Sequence, residues 1–333
     1  MYPFTICAFG AEIPAFAGMG QKGSGMGRGA GMGRSLCFRR PEDGYNCAME
    51  WWIPITLFAA VMQVARTGCQ KSLLAELDGE TITWLRFGFA LPLAPLYLLL
   101  LPGDIPAPNW RFFGYAAAAG VLQIAATLSL VRLFARRNFA VCTAFSKTEA
   151  AQIALFGSLF FGLPLSAAGI FGVALGAAGV LLLVPWDGDK RTAASGVLVG
   201  AGFALTALCI KSAVAELPDA APLSAAALTL FVMLCLQTIL AGALLLSRRA
   251  PPFAAVWRAR KRAAAVGVCG FLGSAGWASA FALSHPAFVK TLAQVELPLA
   301  YLLGRAAFAE KPRPMELFGM LACAAAAVLV AFA

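Results

Sequence analysis

A few side chains capable of acid–base or ionic chemistry sit inside otherwise apolar sequence. Lys147 and Glu149 fall in one stretch, Gln294 and Glu296 in another 147 positions later, with Lys290 one turn ahead of Gln294. A charge near the centre of a membrane helix costs about 2.5–3.5 kcal/mol, so each needs a partner or water. Two acids at matching depth could share a proton or meet a cationic group, whereas the lysines suit carboxylates or amino acids. On an unbroken helix, residues two apart stand about 200° apart around the axis, so Lys147 and Glu149 point in different directions. The face Thr143–Lys147 matches Lys290–Gln294 and continues through Pro298 and Tyr301. One face is then expected to bind substrate and the other to pass protons. The alternative is that both glutamates lock neighbouring helices together by hydrogen bonds.

Weaker polar signals accompany these. Gln63, Arg66 and Gln70 recur at spacings of three and four, which gives one helix a polar stripe able to line a cavity. Gln123 with Thr127, and Ser274 with Trp277, mark similar faces, each equally suited to interhelical hydrogen bonding. Pro298 has no N–H and frees the carbonyl of Gln294; Pro92 and Pro95 do the same to their own helix, where a kink is expected. Arg86 could pair with an acid or reach the interface. Lys71 and Lys211, at equivalent helix ends, are expected to extend to the interface.

Several chemistries are excluded. The single His285 cannot build a two-histidine zinc helix, and the nine cysteines show no paired spacing. Asp187 and Asp189 lie in a connection, so no metal or cofactor is expected. No nucleophile–base pair occupies one depth, so no enzymatic activity is expected either. The net charge of +10 sits in the N-terminal tail and in short connections, as in membrane proteins, and not in a nucleic-acid-binding patch.

The elements that must position these residues are helices. The chain is 60% hydrophobic and 13% charged, against roughly 25% charged in soluble domains. Apolar runs of about 20 residues, continuous and not alternating, predict membrane-spanning helices over about 51–73, 82–101, 111–134, 139–161, 165–185, 194–215, 223–246, 263–284, 287–308 and 314–332. Pro-Gly at 102–103, Pro106, Pro108, Pro164, Pro218, Pro251-Pro252 and Pro312 mark the breaks between them. Residues 1–48 hold 10 of the 33 glycines and repeat Gly-Met-Gly-Arg, a low-complexity leader expected to be disordered and dispensable. Glu50-Trp51-Trp52 then opens the first helix at an interface-favouring aromatic pair.

The ten helices read as two copies of five. Cys69-Gln70-Lys71-Ser72-Leu73-Leu74-Ala75-Glu76 is echoed by Cys209-Ile210-Lys211-Ser212-Ala213-Val214-Ala215-Glu216, with five of eight positions identical. Glu149, Gly157, Phe161 and Phe171-Gly172 are echoed by Glu296, Gly304, Phe308 and Phe318-Gly319. An odd number of helices per copy inverts the second, so the expected fold is all-α integral membrane, with ten transmembrane helices in two inverted five-helix repeats over 49–185 and 193–333. Secondary transporters built this way hold substrate near the midplane between the halves.

The stretches QVELPLAYLLGRAAFAEKPRPMELFG (294–319) and SKTEAAQIALFGSLFFGLPLSAAGIFG (146–172) resemble the EamA-type transporters of the drug/metabolite transporter superfamily. That resemblance covers roughly residues 50–333 and implies a secondary carrier that uses no ATP, moving a metabolite or a drug, commonly outward. The residues expected along the substrate and proton path are Lys147, Glu149, Lys290, Gln294, Glu296, Gln63, Arg66, Gln123, Thr143, Trp277 and Tyr301. The expected partners are a small molecule and the lipid bilayer, in a bacterial inner membrane, with a homodimer left open and no nucleic acid. A multidrug exporter, a channel and a membrane scaffold are the competing expectations. Lys and Arg gather in the odd-numbered connections, which places those in the cytoplasm and the termini outside; the resemblance implies the reverse.

Overall fold

In the computed structural model, all ten stretches are helical and no strand occurs among the described residues, which are 51–101, 106–161, 167–183, 190–247 and 253–331. The leader, the Asp187–Asp189 connection and several breaks between helices lie outside them. In chain order the helices are α1 (Trp52–Leu73), α2 (Gly79–Gly88), α3 (Leu93–Leu100), α4 (Trp110–Phe134), α5 (Phe139–Ser146), α6 (Glu149–Phe161) and α7 (Ala167–Leu183). There follow α8 (Lys190–Ala215), α9 (Pro222–Ser247), short α10 (Phe253–Arg258), α11 (Arg260–Leu283), α12 (Pro286–Leu292), α13 (Glu296–Phe308) and α14 (Pro314–Ala331). Among the described residues, five helical stretches are long and apolar enough to cross a membrane: Gly79–Leu100, Trp110–Phe134, Ala194–Ala215, Pro222–Ser247 and Arg260–Leu283. Large apolar side chains face outward across the bundle, Leu99 and Leu100 each 72% exposed and Ile239 66%, which suits hydrocarbon and not water. This is an all-α protein of membrane character.

Three stretches expected as single helices are divided, each for a readable reason. Between α2 and α3, Pro92 and Pro95 cannot donate to the carbonyls of Gly88 and Leu91. Between α12 and α13, residues Ala293–Val295 tighten into a 3-10 turn, where Pro298 leaves the Gln294 carbonyl without its helical donor. The α5–α6 break has no proline. There the hydroxyls of Thr143, Ser146 and Thr148 bond to the carbonyls of Phe139, Thr143 and Phe145 at 2.9, 2.7 and 2.8 Å. Such back-bonding competes with the helix ladder and bends it. The backbone N–H groups of Lys147 and Thr148 shorten to i−3 bonds at the same point.

The most extensive packing joins α1 to α11, α4 to α8, and α7 to α14, while α5 lies against α13 and α6 against α12. Glycines set the distances. Gly196 and Gly200 on α8 seat the α5–α6 break, since a Cβ there would collide with Phe145 and Thr148 respectively. On α11, Gly267 accepts Phe89, Gly270 accepts Arg66 and Arg86, and Gly276 accepts Ala59. The smooth glycine ridge of α11 is therefore filled by side chains of α1 and by residues of the second stretch.

Lys71 and Lys211 do not extend to the interface. Lys71 is clamped to Glu310 and donates to the Arg137 carbonyl at 3.3 Å, while Glu310 also accepts the Phe139 N–H at 2.6 Å. Lys211 donates to the Phe281 and Ser284 carbonyls at 2.9 and 3.4 Å. Lys211 finds carbonyls at the C-terminus of α11, where the dipole favours a cation, while Lys71 finds a carboxylate and a carbonyl of the α4–α5 connection.

A test of this packing compares two glycines. Gly267→Ala, against Phe89, should lower stability by about 1–3 kcal/mol through overpacking. Gly114→Ala, on α4 with open space around it, should be neutral or stabilise by up to about 1 kcal/mol through helix propensity. Unfolding of detergent-solubilised protein reads both.

Candidate functional site

The α5–α6 and α12–α13 breaks bring their charged residues together. Lys147 Nζ lies 2.7 Å from Glu296 Oε1 and 3.5 Å from Glu149 Oε1. Lys290 Nζ lies 3.1 Å from Glu149 Oε1. The order of contact is thus Glu296, Lys147, Glu149, Lys290, all four buried, with Lys147 and Glu296 each 1% exposed. Lys290 also sits 4.1 Å above the Trp277 ring and 5.4 Å from Phe281, a cation–π contact of the kind strengthened by desolvation. This overturns the expectation that Lys147 and Glu149 point apart. That expectation assumed 100° per residue, and the helix stops at Ser146 and restarts at Glu149.

A cavity of about 30 Å³ borders this chain of charges. A water needs roughly 10–15 Å³ by this measure, so two fit and a metabolite does not. Glu149, Lys290, Gln63, Gln123 and Trp277 line it, together with Arg86. Further lining comes from Phe203, Thr206 and Ile210 of α8, Met233 of α9 and Phe281 of α11. Both halves of the chain contribute. Phe281, Lys290 and Ile210 stand near the ends of their helices, so the cavity reaches toward the end carrying the α8–α9 and α11–α12 connections. The opposite end is tied by Lys71–Glu310, Arg132–Glu80 and Arg262–Glu76.

The remaining expected residues separate from the cavity to different degrees. Glu296 and Lys147 reach it only through Glu149. Arg66 is buried behind the wall, 1% exposed, with Nε and Nη2 unpartnered among the described residues. Gln294 is buried at the break with its amide unpartnered there. Gln123 accepts from Gln237 Nε2 at 2.8 Å. Thr143 is not part of the wall; its hydroxyl is spent on the Phe139 carbonyl. Tyr301 turns away, its hydroxyl accepting from exposed Arg305 at 3.3 Å. The continuous face from Lys290 through Tyr301 does not exist, because the 3-10 turn rotates α13 relative to α12.

The cavity wall on α8 escaped sequence reasoning, although a signal was present. The repeat that aligns Lys71 with Lys211 shifts Gln63, Arg66 and Gln70 by 140 positions onto Phe203, Thr206 and Ile210. The expected polar stripe of α1 thus aligns, through the sequence echo, with a lining stripe on α8, apart from its chemistry. His285 caps α12, accepting the Ala287 N–H at 3.2 Å.

The ion pairs make a double-mutant comparison informative. Glu296→Gln alone removes the closest partner of buried Lys147 and should cost about 3–5 kcal/mol. Combining it with Lys147→Met removes both charges and should recover most of that loss, as read by thermal unfolding in detergent.

No protein-family model matches the chain, and no curated protein matches it. A solved structure described only as "Crystal structure of protein" is similar in fold, with a TM-score of 0.61 at 13% identity. The match covers 84% of this chain and 96% of that one. At that identity the likeness speaks to the fold alone.

Proposed function

We propose that this protein is a secondary carrier of a small metabolite, exporting it by alternating access around a site between two inverted five-helix repeats. The observation that carries the reading is the pair of helix breaks at repeat-equivalent positions, each delivering charged residues to one buried chain beside a cavity. Broken helices at the repeat interface are how carriers place polar groups in the middle of a membrane.

Packing supports the repeat. Exchanging each stretch with its counterpart turns the α1–α11 contact into α8–α4, leaves α7–α14 unchanged, and turns α5–α13 into α12–α6. Those are the pairings observed. Lys71 and Lys211 bond to carbonyls in the connections that follow α4 and α11. The shared environments support ten spans, although three are interrupted. These features favour an EamA-type carrier over a scaffold, which needs no buried chain of charges.

The contrast between the two ends supports alternating access. One end is closed by ion pairs, the cavity leans toward the other, and its present volume admits water only. Substrate therefore enters when α8, α9 and α11 separate from α12, and leaves when the Lys71–Glu310 clamp and its neighbours open. Glu149 is the acid that faces the cavity while remaining paired with Lys290 and Lys147. It is therefore the residue through which a proton from the cavity exchanges with the chain of charges. A channel is the competing reading and is separated by flux that neither saturates nor shows counterflow.

The test is transport in proteoliposomes under an imposed pH gradient, using a substrate identified from the spent medium of overexpressing and null cells. A Glu149→Gln, Lys290→Met variant, which leaves the Lys147–Glu296 pair in place, should keep substrate exchange while losing gradient-driven accumulation. Full gradient-driven accumulation in that variant would remove the proton role, and absence of counterflow in the unaltered protein would remove the carrier.

A further inference from the structure

The carrier reading leaves the substrate unnamed, and the buried charges narrow it. Six ionisable side chains cluster in and behind the cavity wall: Arg66, Arg86, Lys147 and Lys290 against Glu149 and Glu296. The two glutamates are taken by the two lysines at 2.7–3.5 Å. That leaves an excess of two cations, and both are arginines.

Arg86 is the informative one. It lines the cavity, is 2% exposed, and donates from Nη1 to the Thr127 hydroxyl. Its guanidinium carbon lies 4.9 Å from the Phe87 ring. No carboxylate faces it among the described residues; the charge that acts on it is that of Arg66, another cation. Two arginines held side by side in a low-dielectric core repel each other. They are accommodated because α11 has no side chain at Gly270, where a Cβ would lie 3.3 Å from Arg86 Cγ and 3.5 Å from Arg66 Cδ. Arg66 has Nε and Nη2 without partners, and Glu296, the acid that acts on it, is already bound to Lys147. A buried cation left in this condition is costly unless something arrives to pair with it.

Resting on the carrier reading, we propose that the substrate is an organic carboxylate with an aromatic or other apolar body, and that Arg86 is the group that binds its carboxylate. A guanidinium offers paired N–H donors that match a carboxylate in two parallel bonds. Arg66 stands behind Arg86 and adds a second positive charge to the same field. Trp277, Phe281, Phe203 and Met233 supply the apolar part of the wall. The opposite assignment, a cationic drug on the glutamates, requires displacing a lysine already in contact with each acid. Anion binding requires no such displacement.

The experiment is a binding titration of detergent-purified full-length protein, followed by tryptophan fluorescence, with Trp277 in the wall as a reporter. Three probes share a phenyl ring and differ in charge: phenylpyruvate, phenylacetamide and phenethylamine. Phenylpyruvate should bind saturably and at least roughly tenfold more tightly than the other two, the margin expected for hydrogen bonds to a charged group. Arg86→Gln should weaken phenylpyruvate roughly tenfold to hundredfold, and Arg86→Lys should weaken it less, since the charge stays and the fork is lost. Trp277→Phe identifies which part of the fluorescence change comes from the wall. Preference for phenethylamine, equal binding of all three, or no saturable binding of phenylpyruvate would each overturn the proposal. The comparison of probes on the unaltered protein decides the matter even if Arg86→Gln fails to fold. Binding is measured without transport, so saturable anion binding in a protein that shows no counterflow would sink the carrier and leave the anion site standing.

Discussion

The fold depends on burying Lys147 and Glu296 against each other at 2.7 Å, with Glu149 and Lys290 completing the set. None of the four is tolerable alone in an apolar bundle, and together they are tolerable only where two helices end and restart. An intact helix would separate Lys147 from Glu149 by about 200°. The breaks are therefore a condition of charge pairing, and the pairing in turn fixes α5–α6 against α12–α13. Everything on the α8 side follows from that placement: Gly196 and Gly200 are glycines because the break protrudes there.

The two breaks reach one geometry by different chemistry. In α12–α13 a proline removes a donor two residues after Glu296; in α5–α6 a run of hydroxyls diverts acceptors. The divergence bears on plasticity. A proline break is permanent, because the missing N–H cannot be restored by any rearrangement. Hydroxyl back-bonds exchange for helical ones at little cost, since each trades one hydrogen bond for another. The first break is the one able to straighten, and Glu149, which faces the cavity, sits on it.

The helical, membrane-like character was readable in the chain, because length and hydropathy are one-dimensional properties. The ten helical stretches fall where the apolar runs put them. The breaks were half readable: Pro298 announces one, whereas Thr143, Ser146 and Thr148 signal the other only to a reader weighing hydroxyl back-bonding. The meeting of Glu149 with Lys147 and Lys290 was not readable, because it needs the angle that only a break supplies. Tyr301 was projected along a straight helix across the 3-10 turn, whereas Thr143 lies within α5 and spends its hydroxyl on the Phe139 carbonyl away from the cavity. Arg86 was undecided between an acid and the interface. It took neither, since Thr127 and the Phe87 ring hold it in the wall.

The distribution of charge also constrains how the cavity can change size. Opening it toward the α11–α12 connection must part α11 from α12, and Lys290 bridges them by lying on Trp277 while pairing with Glu149. Parting these helices forces Lys290 to give up either the ring or the acid. Giving up the ring is the smaller loss, because an ion pair buried beside Lys147 is worth more than a cation–π contact once water enters the site. Lys290 then stays with α6, and Trp277 moves away with α11. The cavity so widened has an arginine on one wall and an aromatic face on the other, while the acids remain covered by their lysines. On the proposed carrier reading, a molecule entering there would meet basic and apolar chemistry, and the same ion pairs that hold the helices together would keep it so.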